Sequence, residues 1–255
     1  MELMVDVAGG SVWVEDRGGD GTPVLMLHPN WGDSTIWAPV IDLLPASVRV
    51  IRFDARGYGR SPSATGPFTQ VGDAIGILDR LAVSAAIVVG HSGGGATALS
   101  LALSRPDAVR ALVLVAPGVD GYPWPADPYG AEFMVLFRAN DRDGLVALGL
   151  RTWAAADPGK AAEVQIRGAV DAMFRQGSHE QDGPPVFDRL SQLHVPTRLV
   201  VGDRDQPTVI DCVTAVAARI PGSRLTVLPG VDHLVPLRAP QLLVDMINSE
   251  CDRDS

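Results

Sequence analysis

Lysine occurs once in these 255 residues, at Lys160, and cysteine twice, at Cys212 and Cys251; no apolar run approaches the ~20 residues that cross a bilayer. Each scarcity removes a class of answer. The basic side chains are almost all arginine and lie scattered along a chain of net charge −9, so no surface for nucleic-acid phosphates is expected. The cysteines sit late in the chain with neither metal nor redox spacing and read as free thiols. Ligand-spaced His/Cys/Asp/Glu clusters, a phosphate loop and a dinucleotide G-x-G-x-x-G are missing, so no metal and no cofactor is expected. The first fourteen residues hold no basic stretch followed by an apolar core, and a cytoplasmic location without a membrane partner is the expectation.

What the chain has in quantity is apolar residues, 46% of the total, enough for the core of a large α/β domain. Runs of strand length, Val12 to Val14, Val24 to Leu27, Val48 to Phe53, Ala86 to Val89 and Ala111 to Val115, alternate with helix-spaced segments at Ile36 to Leu44, Gln70 to Leu81 and Ala96 to Ser104. That rhythm predicts a mostly parallel, wound sheet with strands buried on both faces. It pauses between two Gly/Pro-rich loops, where Tyr129 to Arg175 turns helical, and resumes at Thr197 to Val201 and Leu225 to Leu228, with helices near Val209 to Arg219 and Gln241 to Ser249. Residues 119–187 therefore read as a helical lid inserted into a core of residues 1–118 and 188–255.

Between the fourth of these strands and a small-residue helix stands Gly90-His91-Ser92-Gly93-Gly94, a G-x-S-x-G. A serine hydroxyl needs a nearby base and an exposed Oγ to act as a nucleophile, and a sharp strand-to-helix turn supplies the exposure. The turn crowds its backbone, which is why Gly90 and Gly94 flank Ser92 two residues away on either side. Functional groups in an open parallel sheet gather at the carboxyl ends of strands. Two later strand ends supply them: Gly202, Asp203, Arg204, Asp205, and then Gly230, Val231, Asp232, His233. Either Asp203 or Asp205 can be the acid, and His233 is the one histidine set as a base. His91 reads as sheet packing, His28 as the organiser of its loop, His179 and His194 as surface residues, and Asp232 as a solvated loop residue.

With the elbow at Ser92, the segment Phe53, Asp54, Arg56, Gly57, Gly59, Ser61, the G-x-x-D ending at Asp205 and the G-x-x-H ending at His233, the chain resembles the α/β-hydrolase fold superfamily over nearly its whole length. The resemblance implies an eight-stranded, mostly parallel sheet flanked by helices, with Ser92 as nucleophile, Asp205 as acid and His233 as base. It implies an oxyanion hole made by the amides of Asn30 and Gly93, although Pro29 stands where the superfamily commonly has glycine. Proline fixes φ and has no N–H, so the loop is expected to follow its own path. Trp31, Trp124, Phe133, Phe137 and Trp153 are expected to line a pocket for a small hydrophobic ester, lactone or thioester cleaved through an acyl-enzyme. The same resemblance covers carbon–carbon bond hydrolases, cofactor-free perhydrolases, acyltransferases and ligand-binding members without catalysis. Oligomeric state is not legible.

Overall fold

Strands β1 (Glu2–Val7), β2 (Gly10–Asp16), β3 (Pro23–Leu27), β4 (Arg49–Phe53), β5 (Ala86–His91), β6 (Val109–Val115), β7 (Thr197–Gly202) and β8 (Arg224–Leu228) form one sheet in the computed structural model, which describes residues 1–177 and 179–252. Their order is β1-β2-β4-β3-β5-β6-β7-β8. β2 runs antiparallel to β1 and β4, and the other neighbours are parallel. Successive side chains of a strand face opposite ways, so the apolar runs of the central strands fill two cores. β3 sends Leu25 and Leu27 to one and Val24 and Met26 to the other; β6 divides Leu112 and Leu114 from Val113 and Val115.

Helices α2 (Gln70–Arg80), α3 (Gly93–Ser104) and α7 (Pro207–Arg219) cover the first face with Leu78, Leu99 and Val213. The second face is covered by α1 (Ala38–Ile41), α8 (Val235–Arg238) and α9 (Pro240–Cys251), through Ile41, Val235 and Ile247. α2 shows how locally such a helix is specified: the Thr69 hydroxyl accepts from the Gly72 amide to cap its start, Ala74, Ile77 and Leu78 form its buried stripe, and Arg80 sits in its last turn. Between β6 and β7 the chain forms α4 (Gly130–Arg138), α5 (Arg142–Trp153) and α6 (Lys160–Arg175), with a small core of their own around Leu145, Val146, Ile166 and Val170.

The structure departs from the periodicity reading in three places. The edge strand β1 precedes the first expected strand and buries only Val5 fully. The helix expected over Ile36 to Leu44 is a 3-10 turn (Ser34–Trp37) followed by the single turn of α1, because Pro39 sits inside it and Pro45 closes it. α3 starts at Gly93 rather than Ala96, since three consecutive glycines carry no side-chain period to read. Among the described residues no helix is long and apolar enough to cross a membrane.

Sheet order reverses between β3 and β5, and the crevice beyond their carboxyl ends is where an open α/β sheet places its site.

Candidate active site

β5 ends at His91, and Ser92 turns the chain into α3 with φ 53° and ψ −115°, a left-handed conformation that a non-glycine residue holds only when its surroundings enforce it. They do: the Ser92 amide donates to Val115 O at 3.0 Å, while Ser92 O accepts from Gly95 at 2.8 Å and Gly118 at 2.9 Å. The turn is packed to backbone contact. A Cβ at Gly94 would lie 2.3 Å from Leu27 O, and one at Gly90 2.5 Å from Gly94 O.

The loops after β7 and β8 bring an acid and a base together. Asp205 Oδ2 accepts from His233 Nδ1 at 2.7 Å, and the two residues are 5% and 1% exposed. Asp205 Oδ1 takes the Gln206 amide at 2.7 Å. With the proton on Nδ1, Nε2 of His233 carries a lone pair; it is buried, has no partner among the described residues, and belongs to a side chain that lines one cavity with Ser92. Asp203 is occupied elsewhere, accepting the Gly230 amide at 2.7 Å. That bond is one of several stapling the two loops: Asp203 N–H donates to Leu228 O and Arg204 N–H to Val231 O, both at 2.9 Å, and Gly202 approaches so closely that a Cβ would lie 1.9 Å from Val231 O.

Two neighbours of the imidazole have firmer roles than the sequence indicated. His91 is fully buried and donates from Nε2 to the His233 carbonyl at 2.9 Å, its ring 4.9 Å from that of His233. Burial first, then the nearness of His233, holds its pKa well below the ordinary histidine value. Asp232, expected to be solvated, is 1% exposed. It accepts the Ala156 amide at 3.0 Å, the Leu234 amide at 3.1 Å and both Nε and Nη2 of Arg238 at 3.1 Å. Its burial has a physical cause: the segment leaving α5 and the turn before α8 each bring an N–H under cover here, and a carboxylate satisfies them.

The loop after β3 is held from behind. His28 Nε2 accepts the Ala55 amide at 2.9 Å, which leaves the ring proton on Nδ1 to donate to Pro29 O at 2.9 Å. Tyr58 donates its hydroxyl to Asn30 O at 3.0 Å, and burial pushes its pKa up to about 12, so it remains a donor. Asp54 in turn accepts from the Ser34 and Arg60 amides, and Arg56 pairs with Asp73 at 2.7 Å inside the protein. The amides of Asn30 and Gly93 make no hydrogen bond with any described residue. The Asn30 carboxamide lies against Gly93, where a Cβ would be 2.2 Å from Oδ1.

A cavity of about 510 Å³ opens over Ser92, Gly93, Asn30 and His233. Of the five aromatic residues assigned to the pocket, Trp31, Trp124 and Trp153 line it. Phe133 and Phe137 do not. They stack on each other at 5.8 Å, Phe137 stacks on Phe174 at 4.7 Å, and Phe133 backs Trp31 at 6.3 Å, because the apolar side of α4 turns toward α5 and α6. Sequence reasoning also missed polar walls: Ser100, Asp120, Thr152, Glu180, Asp182 and Gln206 face the same space. Asp120 carried a signal, lying in the stretch that leaves β6; Glu180 and Asp182 lie in the second Gly/Pro-rich loop, which has no period to read. His179 and His194 are exposed.

The profile of the Alpha/beta hydrolase family matches residues 24–246. A protein of Caulobacter sp. (strain K31), whose name gives it provisionally as the carbamate hydrolase RutD, is 29% identical over 229 residues, 82% of this chain and 83% of its own length. The structure described as Est816, an N-acyl homoserine lactone degrading enzyme, superposes with a TM-score of 0.78 over 97% of this chain and 99% of its own, at 25% identity. The esterase EaEST of Exiguobacterium antarcticum shares the fold with a TM-score of 0.79 over 98% and 99% of the two chains, at 21% identity.

Proposed function

The chain belongs to the alpha/beta hydrolase family, and from that premise we propose that it hydrolyses a carboxylic ester, lactone or thioester of a small molecule through an acyl-enzyme on Ser92. The observation that carries this reading is a buried imidazole bound on one side to Asp205 and bare on the other, in the cavity that Ser92 also lines. Such a nitrogen is a base without a proton donor, and in unliganded sites the serine contact is often long until substrate is seated. Ser92 Oγ attacks the carbonyl as Nε2 takes its proton, and Asp205 stabilises the resulting imidazolium without accepting that proton. The amides of Asn30 and Gly93, the latter at the N-terminus of α3, donate to the oxyanion. Collapse expels the alcohol or thiol, which leaves with the proton from Nε2. Water, deprotonated by the same nitrogen, then releases the acid and restores Ser92.

Residues 119–187 act in this reading as the cap over the site, with Trp124 and Trp153 from that segment and Trp31 from the oxyanion loop as its apolar walls. A second reading, hydrolysis of a carbamate by the same hydroxyl, is favoured by the name of the Caulobacter relative. Neither reading requires a cofactor.

A fluorophosphonate probe and a panel of p-nitrophenyl esters, lactones and alkyl carbamates test the proposal. The protein labels and turns over at least one carbonyl class, and Ser92→Ala loses both properties. Undiminished labelling and turnover in Ser92→Ala overturn it.

A further inference from the structure

Ala96 and Ser100, four and eight residues past Ser92, form with Thr97 the stripe of α3 that lines the cavity. Eight residues at a helical rise of 1.5 Å carry the wall ~12 Å beyond the nucleophile. Near Ser100 stands Asp120, half-buried, from the first Gly/Pro-rich loop; Glu180 and Asp182, exposed, line the same cavity from the second loop within charge range of it.

Among the described residues these acids have no counter-charge. None of the three forms an ion pair, the nearby Asp73 is already paired with Arg56, and no described arginine or lysine lines the cavity. Burial and then the charge of Asp182 raise the pKa of Asp120, a rise that the nearby Ser100 hydroxyl only eases. Glu180 is raised by burial, with Asp73, Asp182 and Asp120 adding like charge against the lowering contact of Gln70. The hydroxyl on this part of the wall lacks a partner: Ser100 is 3% exposed, and its Oγ lies near Asp120 without hydrogen-bond geometry to any described group. The unpartnered hydroxyl of Thr152 stands elsewhere in the cavity, on α5 beside Gln206. An unpaired buried hydroxyl and uncompensated carboxylates mark the place of a polar, positively charged ligand group. Among the described residues no three His, Cys, Asp or Glu side chains converge as ligands of one metal ion, so the wider spread of an organic cation suits them better. Apolar walls from Trp31, Val119, Trp124, Trp153 and Val209 lie in the same space and suit an aliphatic or ring-bearing stem.

We propose that the cavity selects an elongated substrate whose far end, about 12 Å from the reacting carbonyl, carries an ammonium or guanidinium group seated among Asp120, Glu180 and Asp182. A carboxylate at that end is rejected. The inference rests on the assignment of Ser92 only for which end of the substrate reacts.

Binding reads the charge preference without turnover. Three tryptophans line the cavity, so their fluorescence follows titration with octylammonium and, separately, with octanoate at neutral pH and low salt. Octylammonium binds at least about ten-fold more tightly, a difference that a partly desolvated ion pair supplies. The ratio shrinks in high salt and in each of Asp120→Asn, Glu180→Gln and Asp182→Asn, folded as judged by circular dichroism. Octanoate binding as tightly as octylammonium, or a ratio unmoved in all three variants, overturns the proposal. A kinetic arm separates it from the hydrolase reading. The kcat/KM ratio of p-nitrophenyl ω-aminooctanoate to p-nitrophenyl nonanoate exceeds about ten in the parent protein and falls in the variants. Hydrolysis of both esters without charge preference refutes the cation subsite alone. Charge-selective binding with neither ester cleaved supports the subsite and refutes the ester reading of Ser92.

Discussion

Replacing Asp232 with alanine removes one carboxylate and the acceptor of four donor groups together. The side chain is 1% exposed and holds the Ala156 amide, the Leu234 amide, and Nε and Nη2 of Arg238. Bonds to a charged acceptor are worth about 1.5–3 kcal/mol each, and breaking a buried pair by removing one partner costs about 3–5 kcal/mol. All these terms belong to the same two oxygens and do not add, so the loss is about 3–5 kcal/mol. In a chain of this length each kcal/mol lowers Tm by about 2–4 °C, so Asp232→Ala melts about 6–20 °C below the parent. Asp232→Asn, which keeps the shape and one acceptor oxygen, falls between the two. The Arg238 side chain is only 12% exposed, so Arg238→Leu in the Asp232→Ala background recovers part of the loss by removing an unpaired guanidinium. Thermal melts by circular dichroism, with urea titrations to check for a constant m-value, measure these differences. A melt of Asp232→Ala within about 2 °C of the parent, or a double variant as unstable as the sum of the singles, refutes the reasoning.

Other substitutions probe the elbow, its support and its pH dependence. Gly94→Ala would set a Cβ against the carbonyls of Leu27 and His28, backbone atoms that cannot swing aside, and lowers stability by more than about 3 kcal/mol in urea titration. Gly93→Ala meets first the carboxamide of Asn30, a side chain that can turn aside, so its stability changes far less than its turnover. Tyr58→Phe removes the donor to Asn30 O and, by loosening the loop after β3 on which the proposed oxyanion hole depends, lowers kcat by about ten-fold or more with little change in KM; an unaltered kcat counts against that role. His91 stays neutral in the folded protein while an unfolded histidine takes up a proton below about pH 6.5. Stability therefore falls as pH drops below that value, by about 1.4 kcal/mol per pH unit from this group, until the folded imidazole itself protonates. His91→Gln flattens the fall in urea midpoint over that range, and equal slopes in the two proteins would contradict the assignment.

Much of the sheet could be read from the chain because a strand buried on both faces writes a continuous apolar run, as Val24 to Leu27 and Ala111 to Val115 do. The approximate places of Ser92 and His233 were readable for a related reason: Ser92 follows such a run, His233 follows the half-exposed strand β8 with its Leu225, Val227 and Leu228, and a glycine marks each turn. Choosing between Asp203 and Asp205 needed the family resemblance, since spacing alone leaves both at the end of β7. The role of Asp232 could not be read, because its partner Ala156 lies 76 positions away in a segment that the local pattern does not tie to the sheet. Phe133 and Trp153 look alike as large apolar residues at helical spacing, and only the packing of α4 on α5 separates a supporting ring from one facing the cavity. The acids at the mouth escaped for the opposite reason, standing in loops where no periodicity assigns a direction to a side chain.

The backbone staples between the segments following β7 and β8 make the carboxylate and the imidazole one rigid part. The hydrogen-bonded couple is thereby insulated from whatever moves above it. A chimera that exchanged the α4 to α6 region, while preserving the Ala156 tether, could change the molecules admitted without retuning the relay, whereas a single methyl at Gly202 would split the relay with the pocket walls left in place.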